Sequence, residues 1–196
     1  MSAARLLVAG ASLGGLDAVP ELLGPLSVDL DLAVVVCQHR HADSGAPLAR
    51  LIGERAGRSV LEAFDATPLG RGAILLAPAN YHTLVEGEHV RLSLDATERF
   101  ARPSIDALFG SAARAWGGRV AAALLTSSSD DGARGLAEVQ RRGGATYVQD
   151  PALAEAREAP EAALARVTPT AVGSPAELGA AIAAWAGALP AGRTHG

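Results

Sequence analysis

Leu6-Leu7-Val8-Ala9-Gly10-Ala11-Ser12-Leu13-Gly14-Gly15 carries a short apolar run directly into a turn of small residues, with a serine at the centre of the turn. A run without polar alternation suits a strand buried on both faces, the usual state of a parallel strand. The glycines then let the chain turn sharply into a helix. Apolar runs at 33–37, 73–77, 120–125 and 145–148 repeat the pattern, and helical spacing fills 15–23, 47–56, 104–116, 133–141 and 175–186. Strand, turn and helix in alternation predict an α/β fold: a doubly wound, mostly parallel sheet with right-handed connections and helices on both faces. One segment departs from this. Residues 82–86 and 89–94 flank Gly87-Glu88 and read as an antiparallel hairpin beside the sheet.

The chain has 196 residues, which fits one domain over 1–188, followed by a flexible tail at 189–196 rich in small residues. It is 49% hydrophobic and 19% charged, so it can bury a sizeable core. The formal net charge of -4 lacks the basic excess that nucleic acid or an anionic membrane attracts. No apolar run approaches the length of a membrane span, and the start Met1-Ser2-Ala3-Ala4-Arg5 has no secretory pattern. The single cysteine, Cys37, lies in an apolar run and reads as strand packing in a reducing compartment. A cytoplasmic location is the expectation.

Ligands of open α/β sheets collect beyond the carboxyl ends of the strands. Ser12 follows the first predicted strand in a tight strand-to-helix turn, mechanically like a nucleophile elbow but without the Gly-x-Ser-x-Gly spacing. A serine hydroxyl needs a base, and the base needs a carboxylate to fix its tautomer. His39 follows the run ending Val36-Cys37-Gln38, and Asp130-Asp131 follow the run from Val120 through the turn Ser127-Ser128-Ser129. Residues of the three types a hydrolytic triad requires thus fall at three strand ends.

Each has a plainer reading. Ser12 can cap a helix or line a phosphate loop, His39 can be an ordinary strand-end residue, and Asp131 can be an N-cap. A dinucleotide site is the main rival on residues alone. Its fingerprint wants Gly-x-Gly-x-x-Gly and an acid ending the second strand, whereas here the glycines stand at 10, 14 and 15 and the strand ends in Gln38-His39. A phosphate-binding lysine is also missing from the turn. Ser104, in Pro103-Ser104-Ile105-Asp106, reads as a helix cap, with Asp106 favouring the positive end of the same helix. His41 shares a loop with His39 and is a substitute base, while His82 and His89 fall in the hairpin. None of these groups has the spacing of a zinc site, so no metal is expected.

Taken in order, Gly10-Ala11-Ser12-Leu13-Gly14-Gly15, Gln38-His39, Ala77-Pro78-Ala79-Asn80-Tyr81-His82, the run Arg102-Pro103-Ser104-Ile105-Asp106-Ala107-Leu108-Phe109, and the stretch from Leu125-Thr126 to Asp131-Gly132 resemble the catalytic domain of the chemotaxis protein-glutamate methylesterases. The likeness spans nearly the whole chain. It implies Ser12 as nucleophile, His39 as base and Asp131 as orienting acid, with no cofactor. It further implies hydrolysis of glutamate γ-methyl esters on the cytoplasmic helices of methyl-accepting chemoreceptors, through an acyl-enzyme that releases methanol, and in some members deamidation of glutamine. Backbone amides of Leu13 and Ser128 are the candidate oxyanion donors, Leu13 by analogy with other elbows and Ser128 from the turn facing it.

The chain departs from the family pattern at several points. Leu13 stands where threonine is usual, Asp130 where asparagine is usual, and Ser127-Ser128-Ser129 replace a glycine-methionine-glycine turn, which predicts strain wherever those glycines take positive φ. The loop after His39 reads Arg40-His41-Ala42-Asp43 in place of Met-Pro-Pro. Arg40, Arg99 and Arg102 are either scattered surface arginines or contacts for an acidic receptor helix. Many members carry a phosphorylated receiver domain ahead of the catalytic domain; this chain opens on the first catalytic strand, so receiver control within it is not expected. The alternative to an esterase is a receptor-binding or scaffold module with a degenerate site.

Overall fold

The computed structural model describes residues 3–40, 48–97 and 101–188. The expected tail at 189–196, together with His41 and Arg99, lies outside the described residues. In chain order the elements are β1 (Arg5–Ala11), α1 (Gly15–Leu23), β2 (Leu32–Gln38), α2 (Leu48–Ala56), β3 (Leu61–Glu62), β4 (Ile74–Leu76), β5 (His82–Glu86), β6 (His89–Ser93), α3 (Ile105–Trp116), β7 (Val120–Leu124), α4 (Ala133–Arg141), β8 (Ala145–Gln149), α5 (Glu158–Leu164), β9 (Ala171–Gly173) and α6 (Pro175–Gly187). Seven strands form one parallel sheet in the order β3-β4-β2-β1-β7-β8-β9, while β5 and β6 pair antiparallel as a separate hairpin.

The apolar runs bury both faces of that sheet. Along β1, Leu6 and Val8 join a core with Ile105, Phe109 and Leu136 from α3 and α4, whereas Leu7 and Ala9 point the other way to Val19, Leu22 and Ile182 from α1 and α6. Two cores share one layer of strands because successive strand side chains alternate faces. Each fully buried leucine or isoleucine contributes about 1.5–3 kcal/mol relative to exposure. The hairpin is anchored to α3, where the Val85 amide donates to Ser111 Oγ at 3.0 Å.

The expected central strands and five long helices are present, with ends moved by a residue or two. Among the described residues, β3, β9, α5 and a single 3-10 turn at Gly117–Arg119 were not anticipated. β3 and β9 are edge strands of two and three residues, and α5 is a seven-residue helix with Pro160 in its first turn and no side-chain cap.

Candidate active site

The strand order places β1 between β2 and β7, and the residues following these three neighbours form the site. Ala11 pairs with Gln38, so Ser12 and His39 leave adjacent strands at the same level, and the His39 amide donates to Ala11 O at 2.9 Å. Both line a cleft of about 590 Å³, together with Leu13, Gln38 and Arg40 and the apolar side chains of Leu16, Leu48 and Leu51. Asp131 lies beyond β7 and reaches the imidazole from behind, with His39 Nε2 2.8 Å from Asp131 Oδ2.

Asp131 is fully buried, a position that disfavours a carboxylate unless its oxygens are well bonded. Oδ2 also accepts from the Ile105 amide at 2.8 Å; Oδ1 accepts from the Asp106 amide at 2.9 Å and Ser104 Oγ at 3.0 Å. Burial alone would raise its pKa, but the bonds from His39 and from the Asp106 and Ile105 amides outweigh it and hold the carboxyl below its usual range. An ionised Asp131 only accepts, so His39 donates from Nε2; in the neutral imidazole Nδ1 then keeps its lone pair.

The carboxylate that orients His39 therefore also caps α3. Ser104 is the N-cap residue of that helix, accepting from the Ala107 amide while donating to Asp131. Asp106 stands in the first turn of its own helix, as the sequence suggests. Its Oδ1 also reaches across, accepting from the amides of Gly132 at 3.0 Å and Gly135 at 2.6 Å, at the start of α4. Each helix supplies the carboxylate or amides that complete the other. Burial, and secondarily the neighbouring Asp131 charge, push the Asp106 carboxyl above its usual range against the opposing amide bonds.

The Ser12 turn is pinned from three directions. Ser12 N donates to Thr126 O at 2.9 Å, and Leu13 O accepts from Thr126 Oγ1 at 2.8 Å. Ser12 O accepts from the Gly15 amide at 2.9 Å and from Gln38 Nε2 at 2.7 Å. Gly14, the N-cap of α1, has φ 80°, a conformation that favours glycine over any residue with a side chain. Thr126 and Gln38 were not singled out as functional from sequence. A polar residue ending an otherwise apolar strand, as Gln38 ends Val36-Cys37, was the available signal.

The serine turn carries no positive φ: among non-glycine residues described only Ala66 and Asn80 do, and the left-handed step falls on Gly132 at φ 100°. Ser127 Oγ accepts from the Ser129 amide at 3.3 Å, and Ser129 Oγ lies 3.4 Å from the Asp131 amide, so hydroxyls order the turn. Leu13 lines the cleft, whereas Ser128 is exposed and is not among its lining residues. Arg40 is not a surface arginine. Its side chain is 5% exposed, with Nη2 2.6 Å from Glu62 Oε1. Arg102 donates to Leu94 O and Asp95 O. Cys37 is buried, and its thiol is pushed up chiefly by that burial. His82 is buried, accepting from the Ser104 amide at Nδ1, and His89 is exposed. Among the described residues no group of three or more His, Cys, Asp or Glu side chains could hold a metal, and no helix is long and apolar enough to cross a membrane.

Comparison with known proteins places the chain as a whole. A sequence model described as CheB methylesterase matches residues 7–182. A relative from Anaeromyxobacter dehalogenans, named protein-glutamate methylesterase/protein-glutamine glutaminase 5, is 39% identical over 152 residues, covering 76% of this chain and 42% of its own length. One from Leptospira interrogans, given the same pair of activities provisionally, is 32% identical over 159 residues, covering 81% of this chain and 82% of itself. The crystal structure of the Thermotoga maritima CheB methylesterase catalytic domain superposes with a TM-score of 0.87 over 94% of this chain and 100% of that one, at 21% identity, which speaks to the fold. Matched from its first strand to its last helix, the chain belongs to the CheB methylesterase family.

Proposed function

We propose that residues 1–188 form one catalytic domain, a carboxylic ester hydrolase that removes methyl groups from glutamate γ-methyl esters on the cytoplasmic helices of methyl-accepting chemoreceptors and deamidates glutamines there. A cytoplasmic location follows from that substrate. The observation that carries the reading is the 2.8 Å bond between His39 and buried, ionised Asp131 at the cleft lined by Ser12. His39 Nδ1 takes the proton of Ser12 Oγ as that oxygen attacks the ester carbonyl. The tetrahedral intermediate places its charge on the former carbonyl oxygen, for which the Leu13 amide is the donor within the cleft and Ser128 the second candidate. Collapse expels methoxide, protonated by His39 to methanol, and leaves Ser12 acylated. Water then attacks, His39 takes its proton, and breakdown returns the proton to Ser12 and frees the glutamate. With glutamine the leaving group is ammonia.

The apolar wall of Leu16, Leu48 and Leu51 suits the uncharged methyl ester better than the carboxylate product. The test is methanol release from methylated chemoreceptor cytoplasmic fragments. Release by the wild-type chain that disappears in Ser12→Ala supports the esterase; equal release from both, or none from either, overturns it.

A further inference from the structure

The position of Gln38 extends that reading to the oxyanion donor itself. Its residue is 5% exposed, its side chain lies along the cleft, and its Nε2 donates both to Ser12 O at 2.7 Å and to His39 O at 3.1 Å. One amide group therefore joins the nucleophile's carbonyl to the base's carbonyl. The arrangement needs Gly15, because a Cβ there would stand 2.0 Å from Gln38 Oε1.

The peptide joining Ser12 to Leu13 is planar and trans, so its C=O and N–H point in opposite directions. Ser12 O is held inward by the Gly15 amide and by Gln38. The Leu13 N–H must then face the other way, and it has no acceptor among the described residues. We infer that Gln38 is a positioning residue that locks the Ser12–Leu13 peptide plane and so presents the Leu13 N–H as a preorganised oxyanion donor. Preorganisation is the point: a donor already aimed where charge develops needs no reorientation during the reaction. The inference rests on Ser12 being the nucleophile, and the experiment separates the two.

Gln38→Met keeps the side-chain length and removes the donor. Gln38→Glu keeps the shape but, when ionised, turns acceptor oxygens toward two carbonyls; when protonated, its O–H can restore one bond. Both variants are compared with wild type, after a thermal unfolding check, for ester turnover and for the rate at which a fluorophosphonate probe labels Ser12. At pH 8, kcat and labelling should each fall about 10- to 100-fold with KM little changed. Between pH 8 and pH 6 the ratio of Gln38→Glu to wild type should rise severalfold, while the Gln38→Met ratio stays flat. That pH signature is read within one folded protein, so it stands even if Gln38→Met fails to fold. A Gln38→Met protein within twofold of wild type, a flat Gln38→Glu ratio, or a loss confined to KM overturns the inference while leaving Ser12 as nucleophile. Wild-type protein that neither labels at Ser12 nor releases methanol overturns both.

Discussion

The starts of α1 and α4 are built alike and finished differently. Each follows a central strand and a short turn, and each has a glycine N-cap in the left-handed region with no side-chain cap, Gly14 at φ 80° and Gly132 at φ 100°. A helix start presents unpaired amides and partial positive charge, which an anion stabilises. At α4 a carboxyl group is built in, since Asp106 accepts from the Gly132 and Gly135 amides. At α1 no carboxylate hydrogen-bonds the turn among the described residues, and Leu13 lines the cleft beside Ser12. One helix start uses its amides to hold two helices together; the other, on the proposed mechanism, keeps the Leu13 amide for charge that exists only during the reaction.

That contrast can be broken by substitution on either side. Ser12→Ala, on the open side, should lower ester turnover to the assay floor, on the order of a millionfold when a triad acts as a unit, with no change in the denaturation midpoint. A large loss of stability would undo the distinction. Asp131→Asn touches both functions, because an amide cannot accept from His39, Ile105, Asp106 and Ser104 together; turnover should fall about ten-thousandfold. Some loss of stability should accompany it in the same denaturation series. Asp106→Ala, on the filled side, should reverse the order of effects. It leaves two buried amides unpaired, so guanidinium denaturation should show a loss of about 2–4 kcal/mol, with turnover per folded molecule reduced less than in Asp131→Asn.

The smallest effect concerns pH. Burial, with the nearby Asp131 charge, raises the Asp106 pKa, so the native state holds its proton more tightly than the unfolded chain. Stability from this group is therefore lost as pH rises from the ordinary carboxylate range through its raised value. Asp131 has the opposite sign: its depressed pKa gives a contribution that is present above the ordinary range and lost as pH falls through the depressed value. Asp106→Asn should accordingly be less destabilising, relative to wild type, at pH 7 than at pH 4, as read from denaturation curves at the two values. An equal difference at both would show that Asp106 titrates as it would in the unfolded chain.

The parts of the fold visible in the sequence are those whose pattern is imposed by burial on two faces. β1, β2, β7 and β8 are apolar because both of their surfaces are covered, and the helices between them carry long amphipathic spacing. β3, β9 and α5 are too short to show a period, and edge strands take their shape from the neighbour they pair with. The convergence of Ser12, His39 and Asp131 on one rim was legible because chemistry restricts which residue types form a triad and the topology brings strand ends together. Gln38, Thr126 and the true target of Asp106 were not, since their roles lie in bonds between segments 26, 113 and 26 residues apart. Strain is expected in the serine turn wherever the replaced glycines would take positive φ; the turn takes none, and a bond from the Ser129 amide to the Ser127 hydroxyl orders it.

The exchange of carboxylates between α3 and α4 also bears on the order of assembly. Ile105 and Asp106 donate to a residue that precedes α4, and Gly132 and Gly135 donate to a residue inside α3. Neither first turn can be completed while the other is frayed. These four amides should exchange with solvent deuterium as one cooperative unit, at a common opening free energy, so that the Asp131 carboxylate beside His39 is seated in the same event that closes both helices.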